Sequence, residues 1–180
     1  AILLAGFGGP AGPAYGSSKA SPGVFDIPQV SGITVDGDDA DWQDSGFRVD
    51  IMPNRECRTQ PRTSLDPCFR LAWDERGLLV LVKVADDVFM ESSDESMLWE
   101  KDSIEVFMAT KRGAPDYYQL VISPGVTPEY PELRIQAVDL RKKEPRAPLT
   151  HEVVRKKGDK TYTVEMVLPW SNLGLTPKLG

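Results

Sequence analysis

The sequence predicts an all-β fold, a two-sheet antiparallel β-sandwich of jelly-roll-like outline. Three observations predict it. From Ile33 onward apolar residues recur with period two in short segments; turn signals separate the segments; and no helical period is sustained. An apolar content of 41% and a charged content of 27% over 180 positions suit one globular domain with a real core.

The elements follow in order. Phe69-Arg70-Leu71-Ala72-Trp73 alternates, Asp74-Glu75-Arg76-Gly77 turns the chain, and Leu78 to Val84 returns as the second strand of a hairpin. Parity places Leu78, Val80, Val82 and Val84 on one face and Leu79, Leu81 and Lys83 on the other. Ile104, Val106 and Met108 share a face opposite Ser103, Glu105 and Phe107, and Tyr118, Leu120 and Ile122 oppose Tyr117, Gln119, Val121 and Ser123. Leu133–Val138, Thr150–Arg155 and Thr161–Leu168 are the later strands, the last with Tyr162, Val164, Met166 and Leu168 against Thr161, Thr163 and Glu165. Helix is expected only in short pieces near Ala40-Asp41-Trp42 and Ser171-Asn172-Leu173. Two packed sheets follow from many such strands.

Composition excludes some partners. The 21 basic residues face 27 acidic ones, a net charge of -6 that repels phosphate backbones and anionic headgroups. Arg141-Lys142-Lys143 and Arg155-Lys156-Lys157 are short runs, so nucleic acid is not an expected partner. Residues 1–14 read as a signal-peptide remnant, too short to insert across a bilayer, and 15–31 as a Gly/Ser/Pro-rich linker before the folded part at 32–180. A secreted, periplasmic or cell-surface location is expected. In an oxidising compartment Cys57 and Cys68 would form a disulfide closing a small loop, about 2–3 kcal/mol of stabilisation; two free thiols are the alternative.

The stretch WEKDSIEVFMA, Trp99 to Ala109, raises the question of a catalytic carboxylate pair. On a strand, residues three apart face opposite ways, so Asp102 and Glu105 cannot flank one bond. Asp102 is expected to cap a turn, and Glu105 to project beside Ser103 and Phe107. The other exposed-face strand carboxylate by parity is Glu165. The single histidine, His151, has no nucleophile-elbow serine around it.

Several pieces together resemble carbohydrate-binding module family 9 and the wider family-9-like, DOMON-related group. They are Ile33-Thr34-Val35-Asp36-Gly37 with Asp41-Trp42, Leu71-Ala72-Trp73-Asp74, Leu79 to Asp86, Trp99 to Phe107, and Tyr162 to Trp170. The resemblance runs from about Ile33 to Gly180. It implies a sandwich that binds polysaccharide or oligosaccharide without cleaving it, with Trp99 as a stacking face and Glu105 as acceptor for hydroxyls. Tyr117 and Gln119 would extend that surface, and Trp42, Trp73 and Trp170 belong to the core. Where xylanase-attached members place an arginine and an asparagine on the next strand, this chain has Val121 and Ser123. In the group, Leu173-Gly174 leads into a further strand and a second tryptophan, so the sandwich is expected to lack its last strand and to belong to a protein with further linked domains, such as a glycoside hydrolase. No cofactor is required. Structural calcium is a candidate, with Asp36, Asp38 and Asp41 in an acidic loop, and Asp86-Asp87 with Glu91 as another cluster. The wider group also contains domains that hold a b-type haem, for which Met90, Met97, Met108, Met166 and His151 offer ligands. A structural or interaction module is the remaining alternative.

Overall fold

The computed structural model describes residues 2–5, 26–50, 65–109, 117–139, 144–145 and 152–173. Ten strands are described: β1 (Ile2–Ala5), β2 (Phe47–Val49), β3 (Leu65–Trp73), β4 (Gly77–Asp86), β5 (Ile104–Met108), β6 (Tyr118–Ser123), β7 (Arg134–Asp139), β8 (Glu144–Pro145), β9 (Glu152–Lys157) and β10 (Thr161–Pro169). A 3-10 turn, Leu98–Glu100, precedes β5, and one helical turn, α1 (Trp170–Leu173), follows β10. The strands form two five-stranded sheets: sheet A in the order β1-β5-β6-β7-β8, and sheet B in the order β2-β3-β4-β10-β9. Every pairing is antiparallel except that of β1 with β5. The chain is therefore a β-sandwich, as the alternation predicts.

The hairpin joins β3 to β4 with Trp73 opposite Leu78, and Asp74 shapes its turn by accepting the N–H of Arg76 at 2.8 Å. The core between the sheets takes Leu78, Val80, Val82 and Val84 from β4, Ile104, Val106 and Met108 from β5, Leu120 and Ile122 from β6, and Tyr162, Val164, Met166 and Leu168 from β10. Period-two parity predicts each of these positions. Met108 and Met166 are thus packing residues of the shared core.

Sheet B is buried on its other face as well. Ile33 and Trp42, on the segment that runs across that face, close a second core with Ala72, Leu79, Leu81 and Val167. The unbroken apolar run Leu78-Leu79-Val80-Leu81-Val82 has this cause, since a strand covered on both sides has no need to alternate. The segment is held along β3 as well: Val30 N–H donates to Trp73 O at 2.9 Å, Trp73 N–H to Pro28 O at 3.1 Å, and Trp73 Nε1 to Ile27 O at 2.9 Å. Trp170 packs edge-on against Trp73, ring centroids 6.3 Å apart, and donates Nε1 to Asp74 O at 2.8 Å. Around Ala40 the chain makes turns, with Trp42 N–H bonded to Asp39 O and Ser45 N–H to Trp42 O, instead of the short helix expected there.

Glu165 corrects one expectation. Parity puts it on the outer face of sheet B, yet it is fully buried, because the overlying segment makes that face an interior. Its carboxylate accepts Trp42 Nε1 at 2.7 Å, Asp36 N–H at 3.0 Å and Gly37 N–H at 2.9 Å. This carboxyl group is the polar centre of the second core and fastens the segment to the sheet.

Candidate functional site

Sheet A has the opposite character. Its outer face carries Glu105 and Phe107 from β5, and Gln119, Val121 and Ser123 from β6, with Glu105 opposite Val121 and Phe107 opposite Gln119. Two diagonal pairs cross from strand to strand. Gln119 Nε2 donates to Glu105 Oε2 at 2.8 Å, and the Phe107 and Tyr117 rings lie 5.8 Å apart with a 55° tilt. Tyr117 remains 39% exposed, so the aromatic pair has a wet side. Glu105 Oε1 accepts no bond among the described residues. The four positions Glu105, Phe107, Tyr117 and Gln119 thus form one contiguous patch, of which the sequence reading named all but Phe107 as site residues.

Trp99 stands on the 3-10 turn, which packs against β6. Its neighbour Leu98 is buried, and a tight turn that buries one side chain directs the next one elsewhere; Trp99 is 43% exposed. The turn belongs to a loop pinched at its base. Met90 N–H donates to Asp102 Oδ2 at 2.6 Å and Asp102 N–H to Met90 O at 2.8 Å. Asp102 therefore clips two chain segments, a fuller role than the expected turn cap.

The two positions where family-9 modules were expected to carry arginine and asparagine are closed here. Val121 and Ser123 are both buried, and Ser123 Oγ accepts Arg134 Nη2 at 3.1 Å from β7. A guanidinium thus stands on the adjacent strand, register-opposite Ser123. Parity alone could not find it, since pairing of β7 to β6 was not assignable from spacing.

The acidic loop is internally engaged. Asp41 Oδ2 accepts Thr34 N–H at 2.6 Å, Asp36 Oδ1 accepts Asp38 N–H at 2.8 Å, and Asp38 pairs with Lys156 at 2.7 Å while Asp39 pairs with Lys83 at 2.6 Å. Glu91 takes loop N–H groups on the other side of the molecule. Among the described residues no three His, Cys, Asp or Glu side chains come together to hold a metal ion. Cys68 lies on β3 with a half-buried thiol whose pKa is pushed up, first by burial and then by its hydrogen bond to Asp50. Cys57 and His151 lie outside the described residues, as do 6–25 and 174–180, so the expectations placed on them stay open.

Burial raises the carboxyl pKa of two groups. At Asp102 desolvation leads, opposed by the Met90 N–H, with Asp86 and Glu91 adding to the rise. At Glu165 desolvation leads over the donors Trp42, Gly37 and Asp36. The folded chain holds both protons more tightly than the unfolded chain does. The stability they contribute is therefore present below the ordinary carboxylate range and lost as pH rises through the folded values. The urea midpoint is expected to fall as pH rises from the ordinary carboxylate range, about pH 4, through the raised folded values, with a shallower fall in Asp102→Asn. A midpoint that climbs over that range would contradict the assignment.

A sandwich with one sheet covered on both faces, and the other carrying exposed aromatic rings near a carboxylate–amide pair on a partly open face, is a β-sandwich module. The chain belongs to the carbohydrate family 9 binding domain-like family, whose sequence pattern matches residues 35–180. Among solved structures it is similar in fold to a carbohydrate binding module family 9 from Caldicellulosiruptor kristjanssonii in complex with cellotriose. The TM-score is 0.54 and the identity 18%, over 79% of this chain and 65% of that one. The chain thus spans somewhat under two thirds of that relative's length. No curated protein matches it in sequence.

Proposed function

We propose that this domain binds carbohydrate without cleaving it, through the outer face of sheet A. The observation that carries the reading is the company of exposed rings, Trp99 and Tyr117, with the Glu105–Gln119 pair. A pyranose ring offers an apolar C–H face and a belt of hydroxyls. An open indole buries the first, and a carboxylate with one oxygen left open among the described residues accepts from the second. Among the described strand residues, the two carboxylates that parity offered for cleavage do not converge. Glu105 lies on the outside of sheet A, and Glu165 is buried behind sheet B under Trp42, so the two cannot flank one glycosidic bond. Family membership supports the sugar reading, and the similar structure that holds cellotriose supports an oligosaccharide as the ligand.

In this reading the module is exported and tethers linked domains, a glycoside hydrolase among them, to polysaccharide. Cys57 and Cys68 pair in that setting. With one open indole, worth about 0.5–1.5 kcal/mol beyond the area it buries, affinity is on the order of millimolar. The burial of Val121 and Ser123 favours a second reading, an interaction or spacer module without a sugar site.

Depletion from solution by insoluble cellulose, xylan and chitin separates the two. The wild-type domain is expected to be retained on at least one polymer. Trp99→Ala is expected to lose that retention with its melting temperature unchanged, while Val88→Ala, at another exposed apolar position, keeps it. Wild-type protein that stays in solution with every polymer leaves only the spacer.

A further inference from the structure

We infer that Arg134 is a positioning residue for Trp99: through Glu95 and Glu91 it fixes the loop that holds the indole open. The inference rests on the sugar-binding reading above for its purpose, and on geometry for its substance.

The loop from Met90 to Asp102 leaves the sandwich and returns to almost the same point, closed at its base by the two Met90–Asp102 hydrogen bonds. Inside it, local turns remove slack. Asp94 Oδ1 accepts Ser96 N–H at 2.8 Å and Ser96 Oγ at 2.6 Å, Met97 N–H reaches Asp94 O, and Glu100 N–H reaches Met97 O. Such a loop is stiff within itself, yet its seating on the sheet needs contacts beyond its base. Leu98 supplies one by burial. Glu91 supplies others through the β6–β7 connection, and Arg134 joins Glu91 and Glu95 to the sheet.

Arg134 projects from β7, and its side chain is only 13% exposed. Nη1 donates to Glu95 Oε1 at 2.9 Å, Nη2 donates to Ser123 Oγ at 3.1 Å, and Nη2 lies 3.9 Å from Glu91 Oε2. The guanidinium is stacked over the Tyr130 ring at 4.2 Å from its centroid. Glu91 in turn is fully buried and accepts Gly125 N–H at 2.5 Å, Val126 N–H at 3.1 Å and Thr127 Oγ1 at 3.2 Å. One planar cation therefore bridges both acids of the Trp99 loop, Glu91 near its root and Glu95 near its crest, to β6 and to the β6–β7 connection. Among the described residues its Nε is buried with no hydrogen-bond partner. Retaining an unsatisfied buried donor is costly, which argues that the fork geometry of arginine is needed at this position. A lysine would have to serve two carboxylates and a hydroxyl from one nitrogen, where arginine divides them between Nη1 and Nη2.

The function of such a clamp is pre-organisation. An indole already held in its binding pose loses less freedom on meeting a sugar. The bridge to Glu95 is the accessible half of the device, since that carboxylate is 70% exposed, whereas Glu91 is sealed. Loss of the exposed half should loosen the crest of the loop without unfolding the sandwich.

Two readouts test this, one of them independent of any sugar. The 19F resonance of 5-fluorotryptophan at position 99, assigned by its loss in Trp99→Phe, is expected to move and broaden in Arg134→Met and in Glu95→Gln. Amide exchange over 92–100 is expected to accelerate with it. With cellotriose as the probe, both variants are expected to bind about tenfold more weakly than wild type. Combining them should add little to either alone, and Arg134→Lys should recover only part of the loss. Glu95→Gln covers the case in which Arg134→Met fails to fold. An unchanged fluorine signal and unchanged exchange in Glu95→Gln would overturn the positioning role. A changed signal together with no cellotriose binding by the wild type would overturn the sugar reading and leave the clamp standing.

Discussion

Replacing Glu165 by alanine is expected to destabilise the domain by roughly 4–6 kcal/mol, most of what a domain of this size possesses. Three donors converge on that carboxylate: Trp42 Nε1, Asp36 N–H and Gly37 N–H, at 2.7, 3.0 and 2.9 Å. Alanine leaves all three without an acceptor beneath a segment that excludes water, and each buried orphan costs about 1–3 kcal/mol. Glutamine is the informative contrast. It keeps one oxygen for the indole but turns an amide NH2 toward the two backbone N–H groups, so about half the loss should remain. Urea titrations of the two variants measure both numbers. A midpoint for Glu165→Ala within about 1 kcal/mol of wild type would show that the covering segment is held by its apolar contacts alone.

Gly125→Ala is expected to cost about 2–5 kcal/mol, for two separable reasons. The residue has φ +70°, a region where an L side chain is strained, and an added Cβ would stand 2.4 Å from Glu132 C and 2.7 Å from Leu133 N. Both are backbone atoms and cannot swing aside. Gly32→Ala isolates the first reason: its φ is +81° with nothing within 4 Å, so about 1 kcal/mol is expected there. Because Gly125 N–H is one of the donors to Glu91, the larger change should also disturb the loop bearing Trp99. Thermal melts of the two alanine variants give the difference directly.

The sandwich was legible because strand parity is a local property. Ile104-Glu105-Val106-Phe107-Met108 can be sorted by eye, and the sorting holds, since Ile104, Val106 and Met108 meet the core while Glu105 and Phe107 stay partly exposed. The same rule put Glu105 and Gln119 on exposed faces, and the strand register brings them into contact. Parity misled at Glu165 because it reports which side of a sheet a residue is on, and says nothing of what covers that side. The signal was present in Leu79, Leu81 and Val167, apolar residues on the supposedly wet face. Arg134 was out of reach for another reason. Its role depends on partners 11, 39 and 43 positions away in the sequence, and long-range pairing has no periodic signature.

The hydrogen bonds between Trp73 and the strand-hugging stretch Ile27–Val30 bear on where an autonomous recombinant piece can be cut. A clone opened at residue 35, where the family match starts, would strip the acceptors at Ile27 and Pro28 from Trp73, and the Ile33 carbonyl from Arg76 Nη2. It would also remove Ile33, one of the apolar lids over Leu79 and Leu81. An expression boundary that keeps this stretch lies upstream of Asp26, and one that also keeps β1 on sheet A lies upstream of Ile2.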